Sequence, residues 1–232
     1  MKKILMFQWF DCPDAARAAE FLSCAQHNLQ LGFDEIVIWN DSTEARFSGP
    51  NITNICTDRR MTYRAFIDAV NDPANLGSLV VLTNSDIKLA DNFGRVAEAA
   101  RAGDFLCFTR YEGAGQLAQH PWCTQDVWAM VAQPVHNSVI YQSDIPLGMP
   151  GCEIRFAEIM FSAGFSVFNP CLEVRNLHLH SNQVPHREEN RIFGAYLFTP
   201  ACSLTEVRER ALTAQPTPCY LTKSLNRVLT MH

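Results

Sequence analysis

The sequence has no paired-cysteine motif: its nine cysteines are scattered singly, and an odd number cannot all pair within one chain. That spacing argues against a disulfide framework and a structural zinc site, and a reducing, cytoplasmic compartment is the simplest setting for it. Cys12, Cys24, Cys56, Cys107 and Cys171 lie in or beside apolar runs, where an inert buried thiol is the commoner state. An excess of basic charge is also missing. With 19 Lys and Arg against 24 Asp and Glu, the formal net charge is −5. The cations are dispersed, so no stripe tracks a phosphate backbone and no nucleic acid is expected as a partner. No run approaches the roughly 20 apolar residues that span a bilayer. Met1-Lys2-Lys3 and the apolar residues 4–10 imitate a signal segment, but Gln8 interrupts the run and Asp11 ends it. Only peripheral membrane association then stays open. Internal repeats and low-complexity linkers are lacking too, so the 232 residues read as one main domain over 1–181, with 182–232 as an extension packed on it.

What is present is an alternation of strands and helices. Residues 4–10, 35–39, 52–56, 79–82 and 105–109 read as strands, and 14–31, 61–70 and 92–102 as helices. Ala15, Ala18, Ala19, Leu22 and Ala25 are assigned to the packing side of the first helix. Residues 126–131 are apolar and of uncertain type, and 113–123 have the composition of a loop that could border a binding site. Pro150 and Gly151 then break the chain before a helix whose apolar face is read as Ile154, Ala157, Ile159, Met160 and Phe161, ending at Gly164. A strand over 165–169 and a helix over 205–214 follow. This pattern predicts an α/β fold with a mainly parallel central sheet and helices on both faces, where ligands gather at the C-terminal strand ends.

Several polar residues fall at those ends. Asp41 and Asp86 each follow a predicted strand, Arg59 and Arg60 precede a helix, Glu153 lies in a first helical turn, and His178 and His180 share one side of an extended segment. Taken one at a time, each has an ordinary reading: a turn-forming Asn-Asp pair for Asp41, a strand-end cap for Asp86, hydrated surface arginines, dipole compensation by Glu153, and hydrogen-bonded histidines.

In their order along the chain, however, these segments resemble nucleotide-sugar-dependent glycosyltransferases of the GT-A fold, with a family 2-like pattern. Ile38-Trp39-Asn40-Asp41-Ser42 is similar to the V-D-D-G-S segment whose acid contacts the nucleoside. Asn84-Ser85-Asp86 lies where such enzymes carry D-x-D, with Asn84 replacing the first acid. Gly151-Cys152-Glu153 matches the turn that presents a carboxylate at a helix start, and Gly164-Phe165-Ser166-Val167 the strand after it. The resemblance implies a GT-A-like catalytic domain binding a nucleotide-sugar donor through Asp41, Arg59, Arg60, Asn84 and Asp86. It also implies a divalent cation, Mn2+ or Mg2+, on Asp86 with His178 or His180. Transfer would go to a saccharide or other hydroxyl acceptor with inversion, Glu153 acting as base and Asp126 as a second acid near the acceptor.

Two other functions stay open from sequence. A sugar nucleotidyltransferase would share the strand alternation, but it is expected to carry a Gly-rich basic loop after the first strand, where this chain has Phe10-Asp11-Cys12-Pro13. A catalytically degenerate GT-A domain serving as a binding module would explain Asn84 in place of an acid.

Overall fold

The computed structural model describes residues 1–180 and 188–221. In chain order its elements are β1 (Lys3–Trp9), α1 (Ala15–Asn28), β2 (Glu35–Asp41), β3 (Ile52–Thr57), α2 (Tyr63–Asn71), β4 (Leu79–Thr83), β5 (Ile87–Lys88), α3 (Val96–Ala99), β6 (Asp104–Thr109), β7 (Tyr111–Glu112) and β8 (Gln116–Leu117). There follow β9 (Gln125–Val131), α4 (Asn137–Gln142), α5 (Cys152–Ser162), β10 (Ser166–Phe168), β11 (Leu177–His178), β12 (Gly194–Phe198), α6 (Leu204–Glu209) and β13 (Thr217–Leu221).

Seven strands form the central sheet in the order β10-β6-β9-β4-β1-β2-β3. The pairs β3-β2, β2-β1, β1-β4 and β6-β10 are parallel; β9 runs antiparallel to both β4 and β6. The sheet is therefore mainly parallel, as a GT-A-like α/β fold requires. Its central strands are apolar on both faces because successive side chains point in opposite directions. Leu5, Phe7 and Trp9 enter one core with Phe21 of α1, Val96 of α3 and Val207 of α6. Ile4 and Met6 enter the other with Phe66 of α2, Val139 of α4 and Phe156 of α5. Helices thus cover both faces.

Several elements differ from the sequence reading. The buried side of α1 is Arg17, Phe21, Cys24, Ala25 and Asn28, because a large aromatic gains more from burial than the alanines, which leave the helix with little apolar contrast. The buried face of α5 includes Phe156, whereas Phe161 is exposed. The expected helix over 92–102 is a 3-10 turn, Phe93–Arg95, followed by the short α3, with Gly94 in the turn. The uncertain segment at 126–131 is β9, buried along its whole length. Arg59 and Arg60 stand ahead of the Thr62 N-cap of α2, outside its first turn. The helix expected over 205–214 stops at Glu209, where Arg210 adopts a left-handed cap, and β13 follows to pair with β12. The boundary drawn at 181 lies outside the described residues.

Candidate functional site

A second, four-stranded sheet of two-residue strands, β5-β11-β7-β8, builds the site at the ends of β4 and β6. In its register His178 faces Ile87, the neighbour of Asp86, and Leu177 pairs with Tyr111, the neighbour of Glu112. The Leu179 N–H donates to the Asp86 carbonyl at 2.9 Å, which locks the strand end in place. Three segments distant in sequence are thereby brought together.

The His178 ring bridges the two acids. Its Nε2 lies 3.2 Å from Asp86 Oδ2 and its Nδ1 3.0 Å from Glu112 Oε2, while His180 Nδ1 lies 3.2 Å from His178 Nε2. Arg17 Nη2 donates to the same Asp86 oxygen at 2.9 Å, and Nη1 to the Leu179 carbonyl at 2.8 Å. Burial disfavours the Asp86 charge, but His178 and Arg17 outweigh it and hold the carboxyl below its usual range. Burial likewise opposes the imidazolium of His178, and the Asp86 and Glu112 carboxylates still raise its pKa.

Asp86, His178 and His180 each offer a ligand atom, all within 4.8 Å of one another, so the three could hold a metal ion. One carboxylate oxygen and two imidazole nitrogens suit a transition-metal cation better than magnesium, which favours oxygen donors. Such a cation would have to displace Arg17 or the imidazole proton from Asp86.

The Asp86, His178 and His180 group lies in a cleft of about 1020 Å³ that also takes in Arg17, Arg60, Asn84, Arg110 and Asp126. Asp41 is exposed at the end of β2, and Arg59 is exposed beside it; neither lines this cleft. Asn84 is tied to Asp126: its backbone N–H donates to the Asp126 carbonyl at 3.0 Å and its Nδ2 to Asp126 Oδ1 at 2.6 Å. Arg110 donates to Asp126 Oδ2 and Glu112 Oε1, both at 2.9 Å, and so links Asp126 to the His178 network through Glu112.

An adjoining hollow of about 500 Å³ shares Asn84, Arg110 and Asp126 with the cleft and holds Glu153. Gly151, at φ 78°, caps α5 and places Glu153 in its first turn. Burial pushes the Glu153 carboxyl up to about 7, Asp126 adding to the shift and Arg110 opposing it. The structure therefore gathers Asp86, His178, His180, Asn84, Asp126, Arg60 and Glu153 along two connected hollows.

Arg17, Arg110 and Glu112 were missed by the sequence reading. Arg110 and Glu112 are spaced two apart at a strand end, a weak sign of a shared side. Arg17 carries no local sign at all, since its partner is 69 positions away.

No family model and no curated protein sequence matches the chain. Similar solved structures include a Desulfovibrio desulfuricans G20 protein provisionally named a nucleotide-diphospho-sugar transferase, at 14% identity over 73% of this chain and 80% of that one, with a TM-score of 0.47. GalNAc-T7 solved with UDP, GalNAc and Mn2+ is similar at 10% identity over 79% of this chain and 45% of that one, TM-score 0.45. The 2-C-methyl-D-erythritol 4-phosphate cytidylyltransferase of Francisella tularensis is similar at 9% identity over 82% and 96%, TM-score 0.39. Likeness at these identities concerns the fold. No helix among the described residues is long and apolar enough to cross a membrane.

Proposed function

We propose that the chain is a glycosyltransferase that moves a sugar from a nucleotide-diphosphate donor to an acceptor hydroxyl. The observation that carries this reading is the pair of connected hollows, one with the Asp86, His178 and His180 cluster and the other with a carboxyl tuned to about 7. A divalent cation on that cluster would supply positive charge against a diphosphate. Arg60, which lines the cleft, adds a second cation for the phosphates.

In the transfer, the acceptor oxygen forms a bond to the anomeric carbon as the bond from that carbon to the phosphate oxygen breaks. The leaving diphosphate keeps the bonding electron pair, Glu153 takes the acceptor proton, and attack on the face opposite the leaving oxygen gives inversion. A carboxyl with a pKa near the operating pH serves this purpose well, because it is substantially ionised and still basic. Asp126, held by Asn84 and Arg110, lines the same hollow and adds to the rise in the Glu153 pKa. Asp41 and Arg59 do not line the cleft, so their roles toward the nucleoside and the diphosphate rest on the sequence resemblance alone.

Thermal unfolding in the presence of nucleoside diphosphates, with manganese or with chelator, tests this. Saturation at a hundred times Kd adds about 2.7 kcal/mol, or roughly 5–10 °C for a chain of this size. Asp86→Ala should abolish the manganese dependence. Equal stabilisation in chelator and in manganese would remove the cation from the reading; no stabilisation by any nucleoside diphosphate would remove the donor.

A second reading is a binding module without turnover, favoured by the ion pair through which Arg17 already neutralises Asp86. Manganese-dependent donor hydrolysis separates the two.

A further inference from the structure

The smaller hollow carries more than Glu153. Its rim bears Trp122, which is 42% exposed although tryptophan is among the most apolar side chains. The backbone beneath that ring is fixed on several sides. The Trp122 carbonyl accepts from Gln125 Nε2 at 2.9 Å and from the Thr199 N–H at 3.1 Å, and the Pro121 carbonyl accepts from Asn169 Nδ2 at 3.1 Å. The His120 ring lies 5.3 Å from the indole, tilted 57° to it, and packs beside it. An exposed aromatic on a rigid support is pre-organised for a ligand with an apolar face.

Polar capacity lies next to this ring. Glu153, Asp126 and Arg110 line the hollow, and Arg110 donates to Asp126 Oδ2 there at 2.9 Å. Two carboxyl groups and a guanidinium in the walls would penalise an acyl chain, which could satisfy none of them. A flat ligand with C–H groups on its faces and hydroxyls around its edge fits both features.

We propose that this hollow is a saccharide-binding acceptor site, in which the Trp122 ring stacks on the apolar face of a sugar and a sugar hydroxyl is directed to Glu153. This rests on the transferase reading above and narrows its acceptor from any hydroxyl to a carbohydrate. Trp122 selects for a pyranose ring and stands outside the donor cleft, so its loss leaves the donor site intact.

Saturation-transfer difference NMR on the full chain tests the assignment. The probes are methyl α- and β-glycosides of glucose, galactose, mannose, N-acetylglucosamine and N-acetylgalactosamine, together with a serine- and threonine-containing peptide, each with nucleoside diphosphate and manganese present. At least one glycoside should receive saturation through its ring C–H protons. Trp122→Ala should weaken that binding about tenfold, and Trp122→Phe should retain most of it. Thermal stabilisation by nucleoside diphosphate should be unchanged in both variants. Absence of a glycoside signal in the wild type, a signal undiminished in Trp122→Ala, or binding of the peptide alone overturns the inference. Nucleoside-diphosphate binding without glycoside binding defeats the saccharide site alone. Glycoside binding without nucleoside-diphosphate binding defeats the transferase reading while the sugar site stands.

Discussion

An aspartate at position 84 would set two carboxylates against each other, because Asn84 Nδ2 stands 2.6 Å from Asp126 Oδ1. The amide donates where an acid would repel, so the residue that departs from the D-x-D pattern is explained by its neighbour on β9. Asp126 was legible as an acid in the sequence, but its partner was not, since the contact joins residues 42 positions apart. Glu153 was legible as the opening residue of a helix; its altered acidity was not, because that depends on burial and on Asp126. Its raised pKa has two consequences. Below about 7 the carboxyl is protonated and cannot act as a base, so kcat/KM should rise about tenfold per pH unit up to that point and then level off. Glu153→Gln should cut turnover by about 10²- to 10⁴-fold and flatten this limb, with nucleoside-diphosphate binding unchanged. A carboxyl raised in the folded state binds protons more tightly there than in the unfolded chain. It therefore costs stability as pH climbs from the ordinary carboxylate range through about 7. Denaturant titrations should accordingly find Glu153→Gln more stable than wild type at pH 8 by about 3 kcal/mol, the difference vanishing near pH 4. A pH profile without the limb, or turnover near wild type in Glu153→Gln, would remove Glu153 as the base.

Among the elements, α5 joins the core to the chemistry. Phe156 stacks on Tyr63 at 4.2 Å, and Tyr63 meets Trp128 edge-on at 4.9 Å, so the helix is anchored through aromatic packing against α2 and β9. Its first turn depends on Gly151. A Cβ there would come within 2.9 Å of Tyr196 Oη and 3.2 Å of the Ile192 carbonyl, at a φ that L side chains rarely adopt. Gly151→Ala should therefore cost at least about 1–2 kcal/mol, read as a fall in Tm of several degrees. It should also lower turnover more than donor affinity, since the displaced turn carries Glu153. Unchanged Tm and turnover would show that the turn tolerates a side chain and does not set the position of the acid. Of the central strands, β1, β4 and β6 were readable because burial on both faces makes them continuous apolar runs, whereas β9, buried in the same way, was not, since periodicity alone does not separate such a run from a buried helix. The strands β5, β7, β8 and β11 were not readable either, since two residues carry no periodicity and their pairing is set by tertiary contact. Those unreadable strands are the ones that assemble Asp86, Glu112 and His178.

At the scale of the molecule, the two cores on either side of the sheet both receive residues from the C-terminal part of the described chain. Cys202, Leu204 and Val207 pack in the core that contains Phe7 and Phe21, whereas Leu197 enters the one that contains Phe66 and Phe156. Arg210 reaches back to Asp104 at the start of β6, Nη2 to Oδ2 at 2.8 Å, and Asn169 bridges to Ala201 beside β10. Tyr196 of β12 also packs on Ile154 of α5 in a small cluster of its own, directly behind the Glu153 turn. A segment that contributes to both cores cannot detach without exposing apolar surface on each, at about 25 cal/mol for every Å² uncovered. The extension read from sequence as packed on the catalytic domain is thus expected to fold with it as one cooperative unit. Guanidinium unfolding followed by far-UV circular dichroism and by tryptophan fluorescence should give superimposable transitions, since Trp9, Trp39, Trp122 and Trp128 are all spread over the part before residue 181 while β12, α6 and β13 lie after it. Cleaving the chain within 182–187 and separating the pieces should leave neither with a cooperative transition. A 1–181 fragment that unfolds with the wild-type midpoint would show instead that the later elements are an appendage, and that the wall they lend to the Glu153 hollow is dispensable.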